Sequence, residues 1–188
     1  FVKPLRGSAG VGAAAVRDDT QLAAHVAAHG EGLVVQQCAA GQEFTIDVFR
    51  TRAGRVACAV PRQRLAVRSG EVEKGITVAD GALIDAAVGL ADALDGLWGV
   101  FCCQCRRGED GVARFFEVNA RFGGGAPLAI AAGANLPLYL LQEVLGLPVT
   151  AELGKFADRL LMLRYDEAVY VRVDDPSALP GHDTPSFR

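Results

Sequence analysis

No apolar run in this sequence is long and unbroken enough to cross a bilayer. The most hydrophobic stretch, "GALIDAAVGLADALDGLWGVFCC" from residue 81, is interrupted by Asp85, Asp92 and Asp95, whereas a helical span needs about 20 consecutive apolar residues. Basic charge is also short: the formal net charge is −3. From Asp166 onward five acids (Asp166, Glu167, Asp174, Asp175, Asp183) stand against Arg172 and Arg188, so residues 1–165 are formally neutral. That argues against the basic footprint of a nucleic-acid binder. The five cysteines, Cys38, Cys58, Cys102, Cys103 and Cys105, are odd in number and lack the spacing of a secreted disulfide framework. A reducing, cytoplasmic setting is expected. No internal repeat or secretory leader is visible. The chain opens at Phe1 in "FVKP", which reads as the end of a strand, so the expectation is a piece of a longer polypeptide whose N-terminal partner is missing.

What is present is a chain of 188 residues, 51% of them hydrophobic, enough for one sizeable core or two small packed lobes. "FVKPLRGSAGVG" is expected to be a short strand and glycine-bearing loop, and "AAAVR" a second strand. "DDTQLAAHVAAHG" carries helix signals: Asp18, Asp19 or Thr20 as caps, Leu22 and Val26 four apart, and Gly30 as the stop. "GLVVQQCAAG" predicts a buried strand running into a turn. "QEFTIDVFRTRAGRVACAVPRQRLAV" alternates through Phe44, Ile46 and Val48 and turns at Ala53 and Gly54, as a hairpin does. A helix is predicted over residues 79–96, a second hairpin over "GVFCCQCRRGEDGVARFFEVN", and two helical pieces after it, broken near Asn135 and Pro137. From about Pro176 the composition is that of a linker.

The second hairpin concentrates the chemistry. Alternation puts Glu117 and Asn119 on one strand face, and an antiparallel register with an odd residue sum adds Gln104 to it. Three oxygen-bearing side chains with one formal charge suit Mg²⁺ or Mn²⁺ held partly by a nucleotide; a solvated hairpin face is the alternative. Cys103 and Cys105 share the other face, with no second C-x-x-C to complete a zinc site, and are expected in the core. Lys3 with Gly7, Ser8, Gly10 and Gly12 offers a cation and a flexible backbone, yet follows neither G-x-G-x-x-G nor the P-loop pattern. Glu43, alone, is a surface acid, and Lys74 in "SGEVEKG" is a loop lysine by default. Arg62 and Arg64 lie on one strand face, either at a substrate carboxylate or on a solvated edge. His25 and His29, four apart, read as a surface face.

The order of these segments resembles the ATP-grasp superfamily, most closely its carbamoyl-phosphate-synthase-like and amino-acid-ligase-like branch. The resemblance covers residues 1 to about 165. "FVKPLRGSAGVG" looks like the nucleotide lysine and phosphate loop, "VVQQCAAGQEFTIDVF" like the adenine hinge and ribose acid, and "FFEVNARFGGGAPLAI" like the metal and substrate segment, with its E-x-N-x-R and glycines. It implies an α+β fold of two small lobes whose antiparallel sheets clamp the nucleotide. Residues 1–42 would belong to the first lobe, 43–165 would form the second, and 166–188 an extension or linker. By the same resemblance Lys3, Gly7, Ser8 and Gly10 would meet ATP phosphates, and Gln36, Gln37 and Ala39 the adenine edge. Glu43 would hold the ribose, and Lys74 would approach the terminal phosphate. Gln104, Glu117 and Asn119 would bind the metals. Arg121 would hold the transferred phosphate or acyl phosphate, with Arg62 and Gly123, Gly124 and Gly125 at the substrate. The implied activity is an ATP-dependent ligase joining a small-molecule carboxylate to a nitrogen nucleophile through an acyl phosphate, inactive without the preceding α/β domain. A catalytically silent ATP-binding regulatory or scaffolding module is the other reading.

Overall fold

The computed structural model describes residues 1–6, 10–30, 32–68, 70–165, 167, 170, 172 and 174. Two antiparallel sheets organise them. The smaller pairs β1 (Val2–Pro4) with β2 (Leu33–Val35), and α1 (Asp19–His29) lies between them in sequence. Asp18 caps α1 by accepting from the Gln21 N–H at 2.8 Å, and Gly30 ends it at φ 74°. His25 and His29 stack on each other, and each bonds a backbone carbonyl.

The larger sheet holds six strands in the order β7-β6-β3-β4-β5-β8. They are β3 (Gln42–Arg50), β4 (Val56–Arg68), β5 (Glu71–Thr77), β6 (Gly99–Arg107), β7 (Ala113–Asn119) and β8 (Leu161–Leu163). The β3–β4 turn closes through Thr51 to Gly54 as the glycine there predicts. Gly41, at φ 97°, leads into β3 where a Cβ would fall 2.0 Å from the Arg107 carbonyl, so only glycine fits.

One face of this sheet packs against α2 (Gly81–Asp92). Phe44, Ile46, Val48, Phe101, Cys103 and Cys105 meet Leu83, Ile84, Ala87 and Ala91 in one core. Asp80 caps α2 through the Leu83 N–H and also receives a hydrogen bond from Arg107, which holds its carboxyl below the usual carboxylate range. The opposite face is only half covered. There α3 (Ala126–Ala131) and α4 (Leu136–Val144) bury Phe49, Ala57, Cys58 and Val60, and Asn135 caps α4 at the break the sequence shows. The rest of that face stays open among the described residues.

Several expectations need correction. "AAAVR" is not a strand: Ala14 alone bridges to Val2. The helix expected over 79–96 is shorter at both ends, because Asp80 caps it and the turn after Asp92 departs from it. The strand in "GLVVQQCAAG" is short and not buried, since β1 is its one partner among the described residues and Val35 stays exposed. "SGEVEKG" is not a loop: its residues from Glu71 form β5, between β4 and the unanticipated β8. With β5 in place β4 is an interior strand, so Arg62 does not lie on a solvated edge.

Candidate functional site

The open part of the sheet face is laid out in cross-strand rows. Side chains directly opposite in an antiparallel ladder share a face, and the register aligns Glu117, Gln104, Thr45 and Arg62 across four strands. The next row holds Asn119, Cys102 and Asp47; on the other side lie Arg106, Glu43 and Arg64. The loop after β7 folds over these rows. A small cleft of about 50 Å³ results, lined by Thr45, Arg62, Arg64, Gln104, Asn119 and Arg121, with Glu71 and Gly123–Gly125 also in its wall.

Two ionic clusters shape the floor. Asp47 and Arg62 are each 1% exposed, and Arg62 donates from Nε and Nη2 to the two carboxylate oxygens at 2.6 and 3.1 Å. The third guanidinium nitrogen of Arg62, Nη1, is buried and meets no acceptor among the described residues. Arg64 reaches Gln104 Oε1 at 2.7 Å, Glu43 Oε1 at 3.0 Å and the Gly70 carbonyl at 2.8 Å. Arg106 bonds the other Glu43 oxygen at 2.7 Å. Beside them the Cys102 thiol is pushed up to about 11, by burial first and by the Asp47 charge second, so it stays protonated at neutral pH.

The three glycines pack against side chains of the sheet. A Cβ on Gly125 would lie 2.2 Å from Arg62 Nη1, one on Gly124 1.9 Å from Glu71 Oε2, and one on Gly123 3.2 Å from Asp47 Oδ1. Charged side chains from β3, β4 and β5 fill the space that Cβ atoms would take.

The predicted site residues divide as follows. Gln104, Glu117 and Asn119 are brought together, with Asn119 Nδ2 donating to Glu117 Oε1 at 2.7 Å. Arg62, Arg121 and Gly123–Gly125 join Gln104 and Asn119 in the cleft wall. Lys3 reaches the same strand from the small sheet, its Nζ donating to the Phe116 carbonyl at 2.9 Å, one residue before Glu117. Lys74 is exposed on β5 and is not part of the cleft wall. Glu43 is held by two arginines rather than standing as a free surface acid. Both backbone polar groups of Gln36 are paired with Phe1, while Gln37 is exposed and Ala39 half-buried. Gly10 sits in an exposed turn, and Gly7 and Ser8 lie outside the described residues. Sequence reasoning missed Asp47 and Glu71. Alternation in "FTIDVF" was the available signal for Asp47, since it sets that acid opposite the Phe44, Ile46 and Val48 face.

The fold and the clefted sheet are those of the ATP-grasp superfamily. A family model described as "ATP-grasp in the biosynthetic pathway with Ter operon" matches residues 29–167, and the chain belongs to that family. No curated protein matches it. Among solved structures it is similar to the biotin carboxylase domain of Hydrogenobacter thermophilus 2-oxoglutarate carboxylase, crystallised with MgADP, ADP and bicarbonate. That match has a TM-score of 0.64 at 16% identity and covers 85% of this chain and 39% of the other. L-amino acid ligase from Bacillus licheniformis has a TM-score of 0.62 at 24% identity, over 84% of this chain and 41% of that one. N5-carboxyaminoimidazole ribonucleotide synthetase from Thermus thermophilus has a TM-score of 0.58 at 24% identity, over 77% and 41%. The chain thus spans about two fifths of the length of these relatives.

The divalent cation implied by such a fold can be tested against the donors present. Among the described residues no cluster of three His, Cys, Asp or Glu could hold a metal ion. Gln104, Glu117 and Asn119 instead supply a carboxylate and two amide carbonyls on neighbouring positions of one face, hard oxygens of the kind Mg²⁺ takes when nucleotide oxygens and water complete its shell. The set fits, with one conflict: Gln104 Oε1 already accepts from Arg64.

Proposed function

We propose that the chain is the later part of an ATP-dependent carboxylate–amine ligase, or a ligase using another nitrogen nucleophile, that works through an acyl phosphate. The observation that carries this reading is the convergence of Gln104, Asn119, Arg62, Arg121 and Gly123–Gly125 on one cleft, with Glu117 beside it. Residues 1–42 belong to the first lobe of the clamp, 43–165 form the second, and 166–188 extend beyond it. A preceding α/β domain of the same polypeptide completes the enzyme, which works in the cytoplasm. No helix among the described residues is long and apolar enough to cross a membrane.

In this reading ATP lies between the lobes. Lys3, Gly7, Ser8 and Gly10 would meet its phosphates, Gln36, Gln37 and Ala39 the adenine and Glu43 the ribose, and Lys74 would approach the terminal phosphate. Mg²⁺ or Mn²⁺ held by Gln104, Glu117 and Asn119 would neutralise phosphoryl charge. A substrate carboxylate oxygen bonds to the γ-phosphorus as the bond to ADP breaks. The nitrogen lone pair then attacks the acyl carbon, phosphate leaves with the bonding electrons, and the nitrogen releases its proton. Arg121 and the unpartnered Nη1 of Arg62 offset the anionic charge that builds at these steps.

A second reading, a silent ATP-binding module, draws on the arginines that occupy Glu43 and Gln104. Phosphate release from MgATP by the whole polypeptide separates the two. Release that rises with an added carboxylate supports the ligase; MgATP binding without such release over a broad carboxylate panel rejects it.

A further inference from the structure

Arg64 touches more of the proposed machinery than any neighbour in its row. Its Nη1 lies between Gln104 Oε1 and Glu43 Oε1, at 2.7 and 3.0 Å. Its Nη2 holds the Gly70 carbonyl at the start of the cleft wall that continues into Glu71. The side chain is 7% exposed, and its Nε meets no acceptor among the described residues. A guanidinium so placed competes with a divalent cation for Gln104, because both charges would claim one amide oxygen at hydrogen-bond range. It also competes with any hydroxyl that would donate to Glu43.

We propose that Arg64 couples the nucleotide half of the site to its anion half. This inference rests on the ligase reading above. Without nucleotide, Arg64 is spent on Gln104 and Glu43. When a divalent cation and a nucleotide sugar take those oxygens, Nη1 is released, and the nearest use for its charge is the cleft it already lines, beside Arg62 and Arg121. Arg106 stays on Glu43 and keeps that acid from being left without a cation. The cleft thus gains a cation for a carboxylate or phosphate ligand only once nucleotide is bound. Arg64 is a positioning residue in this scheme, and its effect is a coupling between two ligands rather than a contribution to either alone.

The test uses the whole polypeptide with MgADP and inorganic phosphate as probes, in isothermal titration calorimetry. In the wild type, saturating MgADP is expected to tighten phosphate binding about fivefold or more, the lower end of common coupling strengths. In Arg64→Ala, MgADP should still bind while the coupling falls to within about twofold of none. Arg64→Lys keeps charge and bulk but not the fork, and is expected to lose most of the coupling too; it decides the matter if Arg64→Ala does not fold. MgADP binding with unchanged coupling in the folded variant overturns the role of Arg64 alone. A wild type that binds no MgADP overturns the nucleotide site itself, and this inference with it.

Discussion

Arg62 and Asp47 face each other inside the large sheet, each 1% exposed, in a two-pronged ion pair that leaves one guanidinium nitrogen aimed along the cleft wall at Gly125. Burying both charges is costly, and the pair is stable as a unit because each ion satisfies the other. Arg62→Ala or Asp47→Ala should therefore each cost about 3–5 kcal/mol, since each strands a buried charge. Replacing both with apolar residues of similar volume should cost far less than the two single changes added. Urea denaturation of the four species measures this; additive losses would show that the pair does not act as a unit.

The glycines of the loop should differ in what they tolerate. A methyl on Gly125 would strike Arg62, which Asp47 pins in place, and Gly125→Ala is expected to cost about 1–3 kcal/mol as an overpacked core site does. A methyl on Gly124 would strike the far end of Glu71, whose side chain is 57% exposed and held there by an ion pair with the half-exposed Arg164. Gly124→Ala should cost less than about 1 kcal/mol by the same scale. Thermal unfolding of the two variants gives the order, and a reversed order would contradict the packing described here.

Glu117 supplies the one formal charge among the proposed metal donors. Glu117→Gln keeps shape and hydrogen-bonding capacity, so folding should hardly change at this exposed position. Divalent-dependent phosphoryl transfer by the whole polypeptide should fall on the order of a hundredfold or more, the scale seen when a main electrostatic element is removed. Near-normal transfer would leave Glu117 as a solvated side chain.

The Asp80–Arg107 pair predicts a pH dependence. Arg107 lowers the Asp80 pKa in the folded chain, so the stabilisation is present above the unfolded carboxylate value of about 3.9 and is lost as pH falls through the folded one. The side chain is 24% exposed, and solvent screening limits the pair to roughly 0.5–1 kcal/mol. Asp80→Asn, which keeps a capping oxygen, should be less stable than wild type by that amount at pH 7. The difference should shrink toward zero as pH falls through the lowered folded pKa and the carboxyl becomes neutral. A difference constant with pH would assign the effect to the cap instead.

Much of the large sheet is legible in the sequence because its hairpins bury one face. The alternation of Phe44, Ile46 and Val48 and the glycines at the turns specify β3, β4, β6 and β7. Alternation alone puts Glu117 and Asn119 on one face, but Gln104 joins them only because the ladder shifts by one residue between Gln104 and Cys105, a bulge that no local pattern announces. β5 is different: "GEVEKG" has no strand composition, and its state comes from β4 and β8 on either side. Arg62 was ambiguous for the same reason, since an arginine on an edge strand is solvated and one on an interior strand must find an acid. The bonds from Arg64 to Glu43 and Gln104 join three strands, and no local pattern encodes such a contact.

The loop after β7 also ties itself to strand register. Gly123, Gly124 and Gly125 each receive a side chain from a different strand: Asp47 from β3, Glu71 from β5 and Arg62 from β4. The loop works like a three-pin socket. A one-residue slip in any of those strands would present the wrong face to it, so α3 can seat only on a sheet already in register. Closure of the cleft therefore requires all three strands beneath it to be correctly paired, which ties the loop's seating to their register.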